Sequence, residues 1–188
     1  EQARFYLEHQ QIDIEDYHSE HKLYKQKLQD AEALLRELGR MQVLERGFLA
    51  NYQFAAQDII VVIGQDGLVA NTLKYLDGQP VIAVNPDPAR WDGKLLPFTS
   101  KDLASVVATT LGGNGKSESI TFAQATTNDG QSILAVNDLF IGPKTHSSAR
   151  YTLQWNEQRE AQSSSGIIVS TGFGSTGWLQ SVLAGAKQ

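Results

Sequence analysis

Apolar residues fall at helical spacing from Tyr17 to Leu38. Tyr17, Tyr24, Leu28, Ala31, Leu35 and Leu38 share one stripe, and Gly39 is placed to stop the helix. Residues 1 to 16 mix aromatics with acids and show no clear period. Met41 to Leu44 reads as a short strand. The pattern then changes: Asp58 enters an unbroken β-branched run, Ile59 to Ile63, which suits a strand buried on both faces, as in a parallel sheet. The run ends in the turn Gly64-Gln65-Asp66-Gly67, and an apolar helix is predicted from Leu68 to Leu76, with Asp66 placed to cap it. Gly78-Gln79-Pro80 turns the chain into a second buried strand, Val81 to Val84. That strand ends at Asn85-Pro86-Asp87-Pro88, where the prolines forbid continuation of a ladder. Two strands with a helix between them form a βαβ unit.

Thr99 is a good N-cap for a helix from Ser100 to about Leu111. Gly112 to Ser117 departs from a P-loop, because Thr110 stands where the first glycine is required and the segment follows a helix; it reads as a loop. From Ser119 the character becomes β. Ser119 to Ala125 and Ser132 to Val136 flank Asn128-Asp129-Gly130, a hairpin signal. Leu139 to Ile141, Tyr151 to Trp155, Arg159 to Gln162 and Ile167 to Val169 complete the strands. Ser170 to Gly177 then leads into a helix from Trp178. The predicted fold class is α/β followed by β-rich, divided near residue 99. An α/β nucleotide-binding domain occupies 1–99 and a β-rich domain 100–188.

Composition adds bounds. The 188 residues are 41% hydrophobic and 20% charged, with a net charge of −5. That balance argues against non-specific nucleic-acid binding through a basic face, but not against a nucleotide held by a glycine loop and a few cations. No cysteine is present, so there is no disulfide frame and no thiolate chemistry. No apolar run approaches membrane-spanning length. The expectation is a cytoplasmic protein, with neither membrane nor nucleic acid as partner. The chain starts without methionine and stops soon after a glycine-rich segment, so truncation at both ends is expected. His18 and His21 lie three apart, but no third ligand is suggested nearby; they read as surface residues, and no metal site is assigned. His146 and Arg150 are candidate phosphate contacts, with a solvated loop as the plainer reading of the segment that carries them.

Gly172-Phe173-Gly174-Ser175-Thr176-Gly177 satisfies the GxGxxG dinucleotide pattern, but it follows β-rich sequence instead of opening a βαβ unit. A different pattern fits more of the chain. In order, Gly64-Gln65-Asp66-Gly67, Asn85-Pro86-Asp87, Gly93-Lys94-Leu95, Asn137-Asp138 and the segment Ser170 to Gly177 resemble the GGDG, NxD, GxLGF, Asn-Glu and STPTGSTAY-like motifs of the NAD kinase family. The resemblance covers about residues 58 to 188. It implies a Rossmann-like amino-terminal domain and a β-sandwich-like carboxyl domain that completes the NAD site. The implied reaction moves the γ-phosphoryl of ATP to the 2′-hydroxyl of NAD. Asp66 would be the catalytic base or orienter. Gly64, Gly67, Asn85, Asp87, Phe98, Asn137, Asp138, Ser175 and Thr176 would contact nucleotide, with Mg²⁺ arriving on the ATP phosphates. The resemblance also implies a homo-oligomer.

The chain departs from the family pattern at several positions. Gln65 stands at the second glycine of GGDG, Asp138 at the glutamate of the Asn-Glu pair, Pro97 at the second glycine of GxLGF, and Trp178 at the tyrosine after the glycine segment. Ser165 stands where the family has an aspartate before the last strand's glycine. These changes motivate two alternatives, a kinase for another hydroxyl acceptor (lipid or sugar) and a non-catalytic NAD(P) sensor. A Rossmann oxidoreductase has no legible hydride site.

Overall fold

Only residues 14–186 are described by the structure, a computed structural model; most of the opening aromatic and acidic stretch lies outside them. Helix α1, Ile14–Leu38, carries acids in its first turn and Arg36 in its last, which suits the helix dipole. Its end is the one the sequence predicts: the Gly39 N–H donates to the Leu35 carbonyl at 3.2 Å. Only part of the predicted stripe is used. Ala31 is buried and Leu34 and Leu35 pack beside it, whereas Tyr17 and Leu38 stay exposed.

Strands β1 (Ile60–Ile63) and β2 (Val81–Asn85) pair in parallel, with Ile60 opposite Val81 and Ile63 opposite Val84. Helix α2, Asp66–Leu73, joins them as the βαβ reading requires. A two-residue strand, β3 (Phe98–Thr99), adds in parallel beyond β2. The sheet order is β1-β2-β3, so β2 is central and β1 lies at an edge. This corrects the expectation that Ile59 to Ile63 is buried on both faces: only Val62 of β1 is buried, while β2 is buried from Ile82 to Asn85. Met41 to Leu44 forms no strand. With α1 it lines instead a groove of about 1200 Å³ along β1, walled by Leu28, Leu49, Phe54 and Val107.

Helix α3, Leu103–Leu111, begins later than predicted. Asp102 is its N-cap, and the Thr99 N–H and hydroxyl both donate to the Asp102 carboxylate, at 2.8 and 2.7 Å. These bonds hold the Asp102 carboxyl below its usual range. The core joins Ala31, Ile82, Val84, Leu103 and Val107, with Ile59, Val61, Ile63 and Phe98 packed against it. Alternation along the strands turns these side chains to one face of the sheet, where α1 and α3 meet. A division at residue 99 would cut α3 from that core. The chain divides into two compact units between Ser117 and Glu118.

The second unit contains three two-stranded antiparallel sheets. β4 (Ala123–Thr126) pairs with β5 (Ser132–Ala135) around the predicted turn, where Gly130 has φ +86°. β6 (Asp138–Ile141) pairs with β9 (Ile167–Ser170). β7 (Ala149–Trp155) pairs with β8 (Gln158–Ser164) through a tight turn with Asn156 at φ +55°. Helix α4, Trp178–Gly185, follows a short 3-10 turn at Gly174–Thr176. Val136 and Leu139 are the buried hydrophobic residues described here, whereas Ile133, Phe140, Val169, Val182 and Leu183 stay exposed. Among the described residues, no helix is long and apolar enough to cross a membrane.

Candidate functional site

Three of the turns named by the sequence meet at the carboxyl ends of β1 and β2. Asp66 is the first residue of α2, and the N-cap is Gln65, whose carbonyl accepts the N–H groups of Leu68 and Val69. The Asp66 carboxylate instead reaches across to residues 94 and 95. It accepts the Lys94 N–H at 3.1 Å on Oδ2 and the Leu95 N–H at 2.8 Å on Oδ1. Both oxygens are engaged, and each keeps a further lone pair.

Asn85 is buried, and both polar atoms of its side chain are hydrogen-bonded. Its Nδ2 donates to the Trp91 carbonyl at 2.9 Å, and its Oδ1 accepts the Asp87 N–H at 3.0 Å. This Asx turn shapes the Pro86 to Trp91 loop from inside. Gly93 has φ +60°, and a Cβ there would stand 2.6 Å from Asn85 Nδ2, so the position requires glycine. Asn85 fixes the loop, the loop fixes Gly93, and Asp66 fixes the residues after Gly93.

Arg90 ties the same loop to α1. Its Nη1 pairs with Glu20 at 2.8 Å and its Nη2 with Asp16 one turn away. The hydrogen bond to Asp16 pushes the guanidinium pKa up further, with smaller contributions from Glu20 and Asp87.

The remaining first-unit residues have separate roles. Gly64 is buried; its N–H donates to the Val84 carbonyl at 3.3 Å, and a Cβ would meet Leu68 at 2.9 Å. A Cβ at Gly67 would meet open space. Phe98 packs against the hydrophobic core. The groove along β1 is not this site, since none of Gly64, Asp66, Asn85, Asp87 or Gly93 lines it.

In the second unit, the glycine segment is stapled to the end of β5 and the start of β6. The Thr171 N–H donates to the Asn137 carbonyl at 2.9 Å, and its hydroxyl donates to the Val136 carbonyl. The Gly174 N–H donates to that hydroxyl at 3.2 Å. Gly174 is buried, and a Cβ there would lie 2.2 Å from the Asn137 carbonyl oxygen and 2.6 Å from Asp138 Oδ1. Asp138 Oδ1 is itself buried with no hydrogen-bond partner. Ser175 donates its hydroxyl to the Gly172 carbonyl at 2.7 Å; Thr176 and Asn137 are exposed.

Sequence reasoning assigned no role to Thr171, the staple of this loop, or to Lys94, which sits beside Asp66. Lys94 lies inside the Gly-Lys-Leu segment that carries the resemblance, so its position was visible and its partner was not. Among the described residues, no three His, Cys, Asp or Glu side chains gather to hold a metal ion. No family model matches the chain, and no characterised protein matches it in sequence.

Proposed function

We propose that this protein is a phosphotransferase of the NAD kinase kind, moving the γ-phosphoryl of ATP to the 2′-hydroxyl of NAD. The observation that carries the reading is the orphaned Asp138 Oδ1. A buried carboxylate oxygen without a donor costs about 1–3 kcal/mol or more, and a ligand hydroxyl would supply that donor. Gly174 packs its bare α-carbon beside that oxygen, where a Cβ would lie 2.6 Å from Asp138 Oδ1 and 2.2 Å from the Asn137 carbonyl oxygen. A ribose hydroxyl is such a donor, and the exposed Asn137 amide beside it suits an adenine edge.

The first unit supports the other half of the chemistry. Phosphoryl transfer needs positioning and charge neutralisation more than covalent help. The Gly67 side of the turn is open, and the Asp66 oxygens keep lone pairs for an attacking hydroxyl. Mg²⁺ would come bound to the ATP phosphates. In the same reading the first unit is Rossmann-like, the second sandwich-like, and the protein a cytoplasmic homo-oligomer. The apolar side chains exposed on the second unit fit such an assembly.

One observation favours a second reading, a sensor that holds NAD(P) without turnover. Asp66 is already bonded to two backbone N–H groups, the arrangement of a structural brace. The test is NADP formation from NAD and Mg-ATP, with calorimetric NAD binding measured beside it, for wild type and Asp138→Ala. Product from the wild type, with NAD affinity lost in Asp138→Ala, is the expected result. NAD binding without product selects the sensor. Undiminished NAD affinity in the variant removes the carrying observation from both readings.

A further inference from the structure

Strand β1 has the composition of a central strand and the position of an edge strand. Ile60–Ile63 carries no charge, proline or bulge, the usual protections of an exposed edge. Its backbone groups alternate between two sides. The Ile60 and Gly64 N–H groups donate inward, to the Pro80 and Val84 carbonyls at 2.9 and 3.3 Å. The groups of Val61 and Ile63 therefore point outward, and the Ile63 carbonyl accepts the Tyr24 hydroxyl on that side at 3.0 Å. Among the described residues, no strand lies opposite the Val61 N–H and C=O or the Ile63 N–H. Met41 to Leu44 is in the same position, with strand composition and no strand beside it. Both segments line the one groove of about 1200 Å³.

We infer that this groove seats one further strand of the same polypeptide, the strand that leads into α1. It pairs with β1 in parallel and places β1 inside a four-stranded sheet. Helix α1 fixes both the direction and the source. Its first turns lie at the carboxyl ends of the strands: Arg90, in the loop after β2, pairs with Asp16 and Glu20, and Tyr24 reaches the last residue of β1. Its other end returns to the groove, where Leu38 and Gly39 are lining residues with Met41. A strand that feeds α1 finishes where α1 begins, so it runs parallel to β1. That strand, α1 and Met41 to Leu44 then form a second crossover unit beside the one already described. The added backbone supplies the partners that the edge of β1 lacks. The unbroken β-branched run of β1 then has the setting that its composition suits, with a parallel neighbour on each side.

The test uses the protein as its gene encodes it. Amide exchange should protect Val61 and Ile63 as strongly as Val62, whose N–H faces β2. Proton–proton NOEs should link Val61 and Ile63 to a residue on the amino-terminal side of Ile14, and a mixed sample of labelled and unlabelled protein should place that residue in the same molecule. Rapid exchange at Val61 and Ile63, contacts to any other part of the chain, or contacts to a second molecule each overturn the inference. A substitution gives an independent reading. Val43 is 54% exposed and lines the groove. A seated strand covers it, so Val43→Glu should lower the urea midpoint and Val43→Ala should lower it less. Where Val43→Glu fails to fold, Val43→Ala carries the measurement. Leu23→Glu, at an exposed position outside the groove, should leave the midpoint unchanged. Midpoints of both Val43 variants equal to wild type overturn the inference.

Discussion

Replacing Asp66 by asparagine distinguishes a brace from a base. The carboxylate accepts two backbone N–H groups, one on each oxygen. An amide of the same shape offers one oxygen and one NH₂ group. Whichever way it turns, one backbone N–H faces a donor. The better orientation keeps the oxygen on Leu95, whose bond is shorter and partly buried, and turns the NH₂ toward the exposed Lys94 N–H, which water can serve. The retained bond loses its charge assistance and the other bond is lost. With hydrogen bonds to charged groups contributing about 1.5–3 kcal/mol and neutral ones about 0.5–1.5 kcal/mol, the expected destabilisation is about 2 kcal/mol. Asp66→Ala orphans the Leu95 N–H as well and should cost about 3 kcal/mol. Urea unfolding gives both values from the midpoint at constant slope. Amide exchange at Leu95 should accelerate in Asp66→Ala and less so in Asp66→Asn. An Asp66→Asn protein as stable as wild type, with unchanged exchange at Leu95, would refute the bracing role. Abolished turnover in such a protein would then assign Asp66 to chemistry alone.

Two further predictions follow from close contacts. Gly174→Ala places a methyl group against the Asn137 carbonyl and Asp138 Oδ1; it should cost about 1–3 kcal/mol by overpacking and weaken NAD binding, read by thermal unfolding and calorimetry. Tyr24→Phe removes the 3.0 Å bond from the phenol to the Ile63 carbonyl and should lower the unfolding free energy by about 1 kcal/mol. Burial raises the Tyr24 pKa above its ordinary value, so its contribution is intact below that value and is lost as pH rises through the folded-state pKa. Tyr24→Phe should flatten the alkaline limb of a stability–pH curve, and an unchanged limb would count against that linkage.

The parts of the fold that the sequence made legible are those dictated by local physics. The β-branched run, the prolines after β2, the Asn-Asp-Gly turn and the glycine after α1 each specify their own element, and each forms close to where it was placed. What stayed illegible depended on partners distant in sequence. Ile59 to Ile63 has the composition of a central strand, but strand order decides burial, and β1 lies at the sheet edge. Met41 to Leu44 has strand composition and no strand opposite it. Thr99 looks like a cap, but its neighbours draw it into β3, and Asp102 takes the N-cap position of α3 with its carboxylate turned back to Thr99. Phe98 belonged to a motif by position and to the core by packing.

The same distinction sorts the site residues. Asn85, Gly93 and Asp66 recur as separate motifs in sequence, yet each is explained by another: Asn85 needs the bare α-carbon of Gly93, and Asp66 needs the N–H groups that follow it. Their spacing is therefore the signature of one interlocked loop, and it would be selected for stability even without a ligand. Gly64 likewise serves helix-strand packing against Leu68, and Thr171 serves the glycine segment. Remove every residue so employed and few remain: the open face of Gly67, the ammonium of Lys94, the amide of Asn137, the hydroxyl of Thr176 and the buried Oδ1 of Asp138. Among the described residues these groups have no hydrogen-bond or ionic partner. In the proposed reading, the second unit's amide and unsatisfied acceptor would suit a base edge and a sugar hydroxyl.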